Sequence, residues 1–156
     1  MKLTPLLESK KLRVFDFDET LVTTKSKLKG TDDNPDFSDW NTVKGPKIIP
    51  QTFKILKNVL NKGSSGRKTV ILTARSRANA VKNYLKSVGV SVTVIPKPES
   101  SNTITFKNRW IEKQIEAGYD DIEVFDDLEE NLARIRKMKK KYPNIKLRLH
   151  KVDYGA

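Results

Sequence analysis

Cysteine is absent from the 156 residues, and histidine occurs once, at His150. The first absence removes disulfides, thiol nucleophiles, iron–sulfur clusters and Cys-ligated zinc. The second removes any multi-histidine metal site and leaves a Ser–His triad a single candidate base. No apolar run approaches the roughly 18 residues of a membrane-spanning helix. Residues 1–11 offer only the Leu6-Leu7 pair where a secretion signal needs an apolar core of about 7–15 residues. A cytoplasmic protein with no membrane partner is therefore expected. Acidic residues are also scarce against basic ones, 19 to 31, which gives a net charge of +12. The chemistry that remains belongs to carboxylates, hydroxyls, Lys and Arg, the groups that handle magnesium and phosphate.

Hydrophobic residues make up 37% of the chain and charged residues 32%, a balance suited to a soluble core under a heavily charged surface. At about 100–200 residues per domain, residues 1–156 are expected to form a single domain. The basic excess steers polyanions toward the protein. It is uneven: the stretch from Asn131 through Lys151 holds nine Lys and Arg and no Asp or Glu. That run is either a nucleic-acid-facing patch or a solvated helix face.

Short apolar runs alternate with helical periodicities. Strands are expected over Leu12–Phe17, Lys68–Thr73, Val90–Ile95, Asp121–Phe125 and Ile145–Leu149. Helices are expected from Pro50 to about Asn61, from a Ser76 cap to Gly89, over Thr103–Ala117, and from Leu128 to before Pro143. Thr23–Lys47, with Gly30, Pro35, Gly45 and Pro46, reads as loop. The alternation predicts an α/β fold, a three-layer sandwich with a Rossmann-like parallel sheet of about five strands.

On that scaffold the polar residues fall together. Asp16 and Asp18 end the first strand, Thr73 ends the second with Arg75 just beyond, and Asp126 and Asp127 end the fourth. Ligands of open parallel sheets bind outside the carboxyl ends of the strands. Any one of these aspartates alone reads as a helix cap, but three strand ends agreeing point to a site. Four carboxylates on one rim raise each other's pKa values unless a cation neutralises them. A hard, oxygen-preferring dication fits, and Mg2+ is the expected cofactor.

Asp16-Phe17-Asp18-Glu19-Thr20-Leu21-Val22 resembles the DxDxT/V signature of the haloacid dehalogenase superfamily of phosphotransferases. Ile71-Leu72-Thr73-Ala74-Arg75 resembles its second motif and Phe125-Asp126-Asp127 its acidic fourth. The TxR form of the second motif and the Phe106-Lys107…Trp110 segment are similar to the 3′-phosphatase domain of phage polynucleotide kinase–phosphatase and to domains of RNA-repair-like proteins. The resemblance implies a phosphomonoester hydrolase with Asp16 as nucleophile, through an aspartyl-phosphate, and Asp18 as general acid and base. It implies magnesium held by Asp16, the Asp18 carbonyl, Asp126 and Asp127, with Thr73 bonding a phosphoryl oxygen. Lys107 and Lys97 compete for the phosphoryl-contacting cation, Lys107 being preferred. Arg75 is either a bidentate phosphate clamp or a residue of a helix's first turn.

Large cap domains have no room here: the insert over 23–49 is short and polar, and little chain separates Thr73 from Lys107. An open rim on a basic protein suits a nucleic-acid end. Phe37 and Trp40 on the flap-like insert either stack on a base or pin the insert to the core. The alternatives are a phosphatase of free nucleotides or small esters, and a basic nucleic-acid-binding module with little turnover. No nucleotide cofactor is expected: Gly63–Thr69 has the wrong glycine spacing for a P-loop and lies between a helix and a strand in the wrong order. Asp32–Asp36 starts like a calcium loop, but Phe37 stands where that loop needs glycine.

Overall fold

The computed structural model describes residues 9–26, 29–30, 35–36 and 38–153. Five parallel strands form the central sheet: β1 (Lys11–Phe15), β6 (Arg67–Thr73), β7 (Thr93–Pro96), β8 (Asp121–Asp126) and β9 (Lys146–Lys151). Their spatial order is β7-β6-β1-β8-β9. The helices are α1 (Pro50–Asn61), α2 (Asn79–Ser87), α3 (Thr103–Glu116), α4 (Glu129–Arg136) and the short α5 (Met138–Lys141).

Alternation along the strands sorts the core into two layers. Phe15, Ile71, Val94 and Phe125 pack with Phe53, Leu56 and Val59 of α1 and Val81 and Leu85 of α2. Leu12, Val14, Val70, Leu72, Ile122 and Val124 point the other way, onto Ile111 and Ile115 of α3 and Leu132 and Ile135 of α4. Near-continuous apolar strands follow from burial on both faces. The result is a Rossmann-like three-layer α/β fold. No helix among the described residues is long and apolar enough to cross a membrane.

Between β1 and α1 the insert is more ordered than a loop. It forms two small antiparallel pairs, β2 (Val22–Thr23) with β5 (Lys47–Ile48) and β3 (Lys29–Gly30) with β4 (Pro35–Asp36), and a 3₁₀ turn at Ser38–Asn41. Strands of two residues carry no periodicity to read. Phe37 and the Asp32–Asn34 part of the apparent calcium loop lie outside the described residues.

Asn102 caps α3 by accepting from the amides of Ile104 and Thr105. Ser76 does not cap α2, which begins three residues later without a side-chain cap. The strand expected from Val90 begins at Thr93.

From β1 the chain moves outward to β6 and β7, then crosses back to β8 and β9 on the other side. The strand order therefore reverses between β1 and β8, where such sheets open a crevice at their carboxyl ends.

Candidate active site

Two neighbouring strand ends at that reversal carry acidic residues. The Asp16 amide donates to the Phe125 carbonyl at 2.9 Å, which ties the end of β1 to β8 just before Asp126. Ligand oxygens of Asp16, Asp126 and Asp127 lie within 4.8 Å of one another. Asp16 and Asp126 are buried, while Asp127 is half-buried.

Lys107 reaches this cluster from α3. Its Nζ lies 3.0 Å from Asp16 Oδ1 and 2.9 Å from Asp126 Oδ2, with only 3% of the residue exposed. Burial disfavours the ammonium, but Asp16 and Asp126 outweigh it and push its pKa above the ordinary lysine value. Lys97 sits elsewhere: its Nζ donates to the carbonyls of Pro98 and Ser101, closing its own loop. Of the two candidate lysines, only Lys107 meets the carboxylates.

One ammonium does not balance three carboxylates. Burial pushes the Asp16 carboxyl well above the usual range, Lys107 opposes this, and Asp126 and Asp127 push it further up. Asp127 is raised too, first by burial and then by Asp126. Such a cluster favours the uptake of protons or of a cation. Its donors are all hard oxygens, so the residues fit Mg2+.

The tight turn after β1 shapes the rest. The amides of Leu21 and Thr20 donate to the Phe17 carbonyl, and Glu19 takes a left-handed conformation at φ 62° with its amide on the Val22 carbonyl. This strain, of order 1 kcal/mol or more, folds Thr20 back so that its hydroxyl donates to Asp16 Oδ2 at 3.3 Å. Thr73, fully buried, accepts from the Arg75 amide at 3.1 Å.

Arg75 corrects the phosphate-clamp expectation. It is 0% exposed. Its Nε and Nη2 each donate to Asp18 at 2.8 Å. Nη1 donates to the carbonyls of Trp40 and Thr42 at 3.2 and 3.0 Å. The fork that matches a phosphate is filled by a carboxylate and the insert's backbone, so no donor pair faces the rim. Trp40 lies over the guanidinium at 5.0 Å, pinning the insert to the core. Thr24 also donates to Asp18, at 2.8 Å.

One supporting residue escaped the sequence. Asn131 of α4 is buried and its amide donates to both Asp126 oxygens, at 3.3 and 3.2 Å. The Leu128 amide donates to Asp126 Oδ1 at 2.9 Å. An Asn one turn into the helix after the Phe-Asp-Asp run was the available signal.

No protein-family model matches the chain, and no curated protein matches it. Among solved structures, the chain is similar to one in "Structure of the Pnkp1/Rnl/Hen1 RNA repair complex", with TM-score 0.62 and 14% identity. The likeness covers 92% of this chain and 43% of that one, so the chain spans less than half of its neighbour's length. At that identity the likeness establishes the shared fold.

Proposed function

We propose that the chain is a magnesium-dependent phosphomonoester hydrolase of the haloacid dehalogenase type, acting on the 3′-phosphorylated ends of nucleic acid. Residues 1–156 act in this reading as one domain, with the insert over 23–49 as a small flap. The observation that carries it is the Asp16–Asp126–Asp127 cluster at the strand-order reversal, with Lys107 between Asp16 and Asp126. The fold shared with a chain of an RNA-repair complex and the net charge of +12 support the nucleic-acid substrate.

Asp16, Asp126 and Asp127 would hold magnesium with the Asp18 backbone carbonyl. The ion, when bound, offsets carboxylate charge and polarises a phosphoryl oxygen. An Asp16 oxygen attacks phosphorus, the bond to the leaving ribose oxygen breaks, and Asp18, which enters this step protonated, gives that oxygen its proton. Asp18 then takes a proton from water as the water oxygen attacks the aspartyl-phosphate, which frees phosphate and restores Asp16. Lys107 and the Thr73 hydroxyl stabilise charge on the phosphoryl oxygens, and Lys107 keeps the Asp16 carboxylate oriented. Arg75 fixes the Asp18 carboxylate through two bonds in one plane and acts as a positioning residue.

Hydrolysis of an aryl phosphate with Mg2+, with and without chelator, tests the chemistry. Turnover lost in chelator and in Asp16→Asn is the expected result; turnover in Asp16→Asn refutes the mechanism. A 3′-phosphorylated oligonucleotide should be preferred over the matching mononucleotide at fixed salt. Equal turnover assigns the enzyme to small esters instead.

A further inference from the structure

We propose that the exposed edge of β9 is a platform for single-stranded nucleic acid, on which a base stacks against His150; the inference deepens the proposed function and rests on its nucleic-acid substrate. Parallel register aligns Ile71, Phe15, Phe125 and His150 across four strands. The Phe15 and Phe125 rings stack at 4.6 Å and 5°. Phe125 and His150 continue the row at 4.6 Å and 16°. The row ends there, because β9 is the edge of the sheet. One face of the imidazole rests on Phe125 while the other meets no further strand among the described residues, and the side chain is 44% exposed.

The ring is also held still. His150 Nε2 lies 2.8 Å from Glu123 Oε2. A flat ring already fixed in orientation loses little freedom when a base stacks on it. Beside it a groove of about 390 Å³ is lined by Phe125, His150 and Lys151 from the sheet, by Ile49 just before α1, and by Thr52 and Ile55 within it. Ile55 is among the few exposed large apolar residues. The groove thus pairs an aromatic with an aliphatic wall, at a volume within the roughly 300–1,000 Å³ of ligand sites.

Charge selects the occupant. Lys146 and Lys151 of β9 are exposed and make no ion pair with the described residues. Asp121 and Glu123 on the same face are matched by Arg13 and Arg148, and among the described residues Asp153 is the one acid lining the groove. Lys151 at the groove and Lys146 at the start of β9, neither in an ion pair among the described residues, fit a phosphate backbone carrying bases better than a neutral or basic peptide. The location fits as well. His150 pairs with Phe125 and Lys151 with Asp126, so the platform begins one residue from the carboxylate cluster. A strand whose terminal phosphate reaches Asp16 lays its upstream bases along β9.

Binding of a fluorescein-labelled oligouridylate with a 3′ hydroxyl, followed by anisotropy at low salt, tests this without turnover. His150→Ala should weaken binding about tenfold or more, and His150→Phe should bind within about twofold of the unaltered protein. Binding unchanged by His150→Ala overturns the platform. So does equal weakening by Ala and Phe, which places the effect in the Glu123 bond rather than in stacking. Failure of the unaltered protein to bind also overturns it and leaves the face to a protein partner. Aryl phosphate hydrolysis by the same samples reads the underlying function separately: it should be the same in all three. Its absence throughout, with the binding pattern intact, would refute the phosphatase and not the platform.

Discussion

Asp16 is a costly residue to bury. Its carboxyl is pushed up by burial and by two neighbouring aspartates, and a single ammonium offsets them only in part. An amide in its place removes an unfavourable charge while keeping the shape. Asp16→Asn should therefore lose aryl phosphate turnover by about 10⁴-fold or more, while its melting temperature in chelator stays equal or rises. A fall in both would mean that Asp16 is structural. Arg75 makes the opposite case. Arg75→Met strands the Asp18 carboxylate and the Trp40 and Thr42 carbonyls, at a cost of about 3 kcal/mol in urea unfolding. Arg75→Lys keeps the charge but not the planar fork; it should lower kcat at least about tenfold with KM for an aryl phosphate little changed. A rise in KM with kcat intact would instead make Arg75 a substrate contact. The chemical type of Arg75 was readable in the sequence, but its partners were not. They lie on a turn 57 residues away and on an insert 33 and 35 residues away. Asn131 escaped for the same reason, since a helix's first turn accepts Asn for local reasons too.

Among the elements, β8 and β9 are joined by charge as well as by backbone. Arg13 and Arg148 converge on Asp121 at 3.2 and 3.1 Å. Burial alone would raise the Asp121 carboxyl, but the charge and hydrogen bond of Arg13, with Arg148, outweigh it and hold it below the ordinary value. A carboxyl depressed in the folded state contributes stability that is present above its unfolded pKa, about 3.9, and is lost as pH falls through the folded value. Stability in urea should drop below about pH 4 by an amount that Asp121→Asn removes. That variant should also cost about 1–3 kcal/mol at neutral pH by leaving Arg13 short of a partner. An unchanged acid limb would place the acid sensitivity elsewhere. The strands and helices themselves were largely legible, because apolar runs and helical spacing follow from burial. The α2 start was not. Ser76 has the chemistry of a cap, yet Arg75 is drawn into the insert and the helix waits until Asn79. In sequence the insert reads as loop because two-residue strands leave no alternation, though pinning the core through Trp40 is one of the two readings the residue types offer.

At the scale of the whole molecule, the basic run after Asn131 divides. Arg136 pairs with Glu129, Lys141 with Glu112, and Arg148 with Asp121, while Lys139 donates to the carbonyls of Pro143 and Ile145. Part of the run therefore serves the fold, and the rest sets the field around it. That field acts on a polyanion far more than on a small ester. KM for a phosphorylated oligonucleotide should rise steeply and linearly on a logarithmic salt scale, while KM for an aryl phosphate changes little. Equal slopes would detach the +12 charge from substrate choice. The same scale holds the central claim, that two strands meeting at the strand-order reversal bring three carboxylates around one dication. Calorimetric titration with Mg2+ measures this most directly. A single site is expected in the unaltered protein, weakened at least about tenfold in Asp127→Asn and abolished in Asp126→Asn. Absence of binding, or binding indifferent to both substitutions, would contradict it.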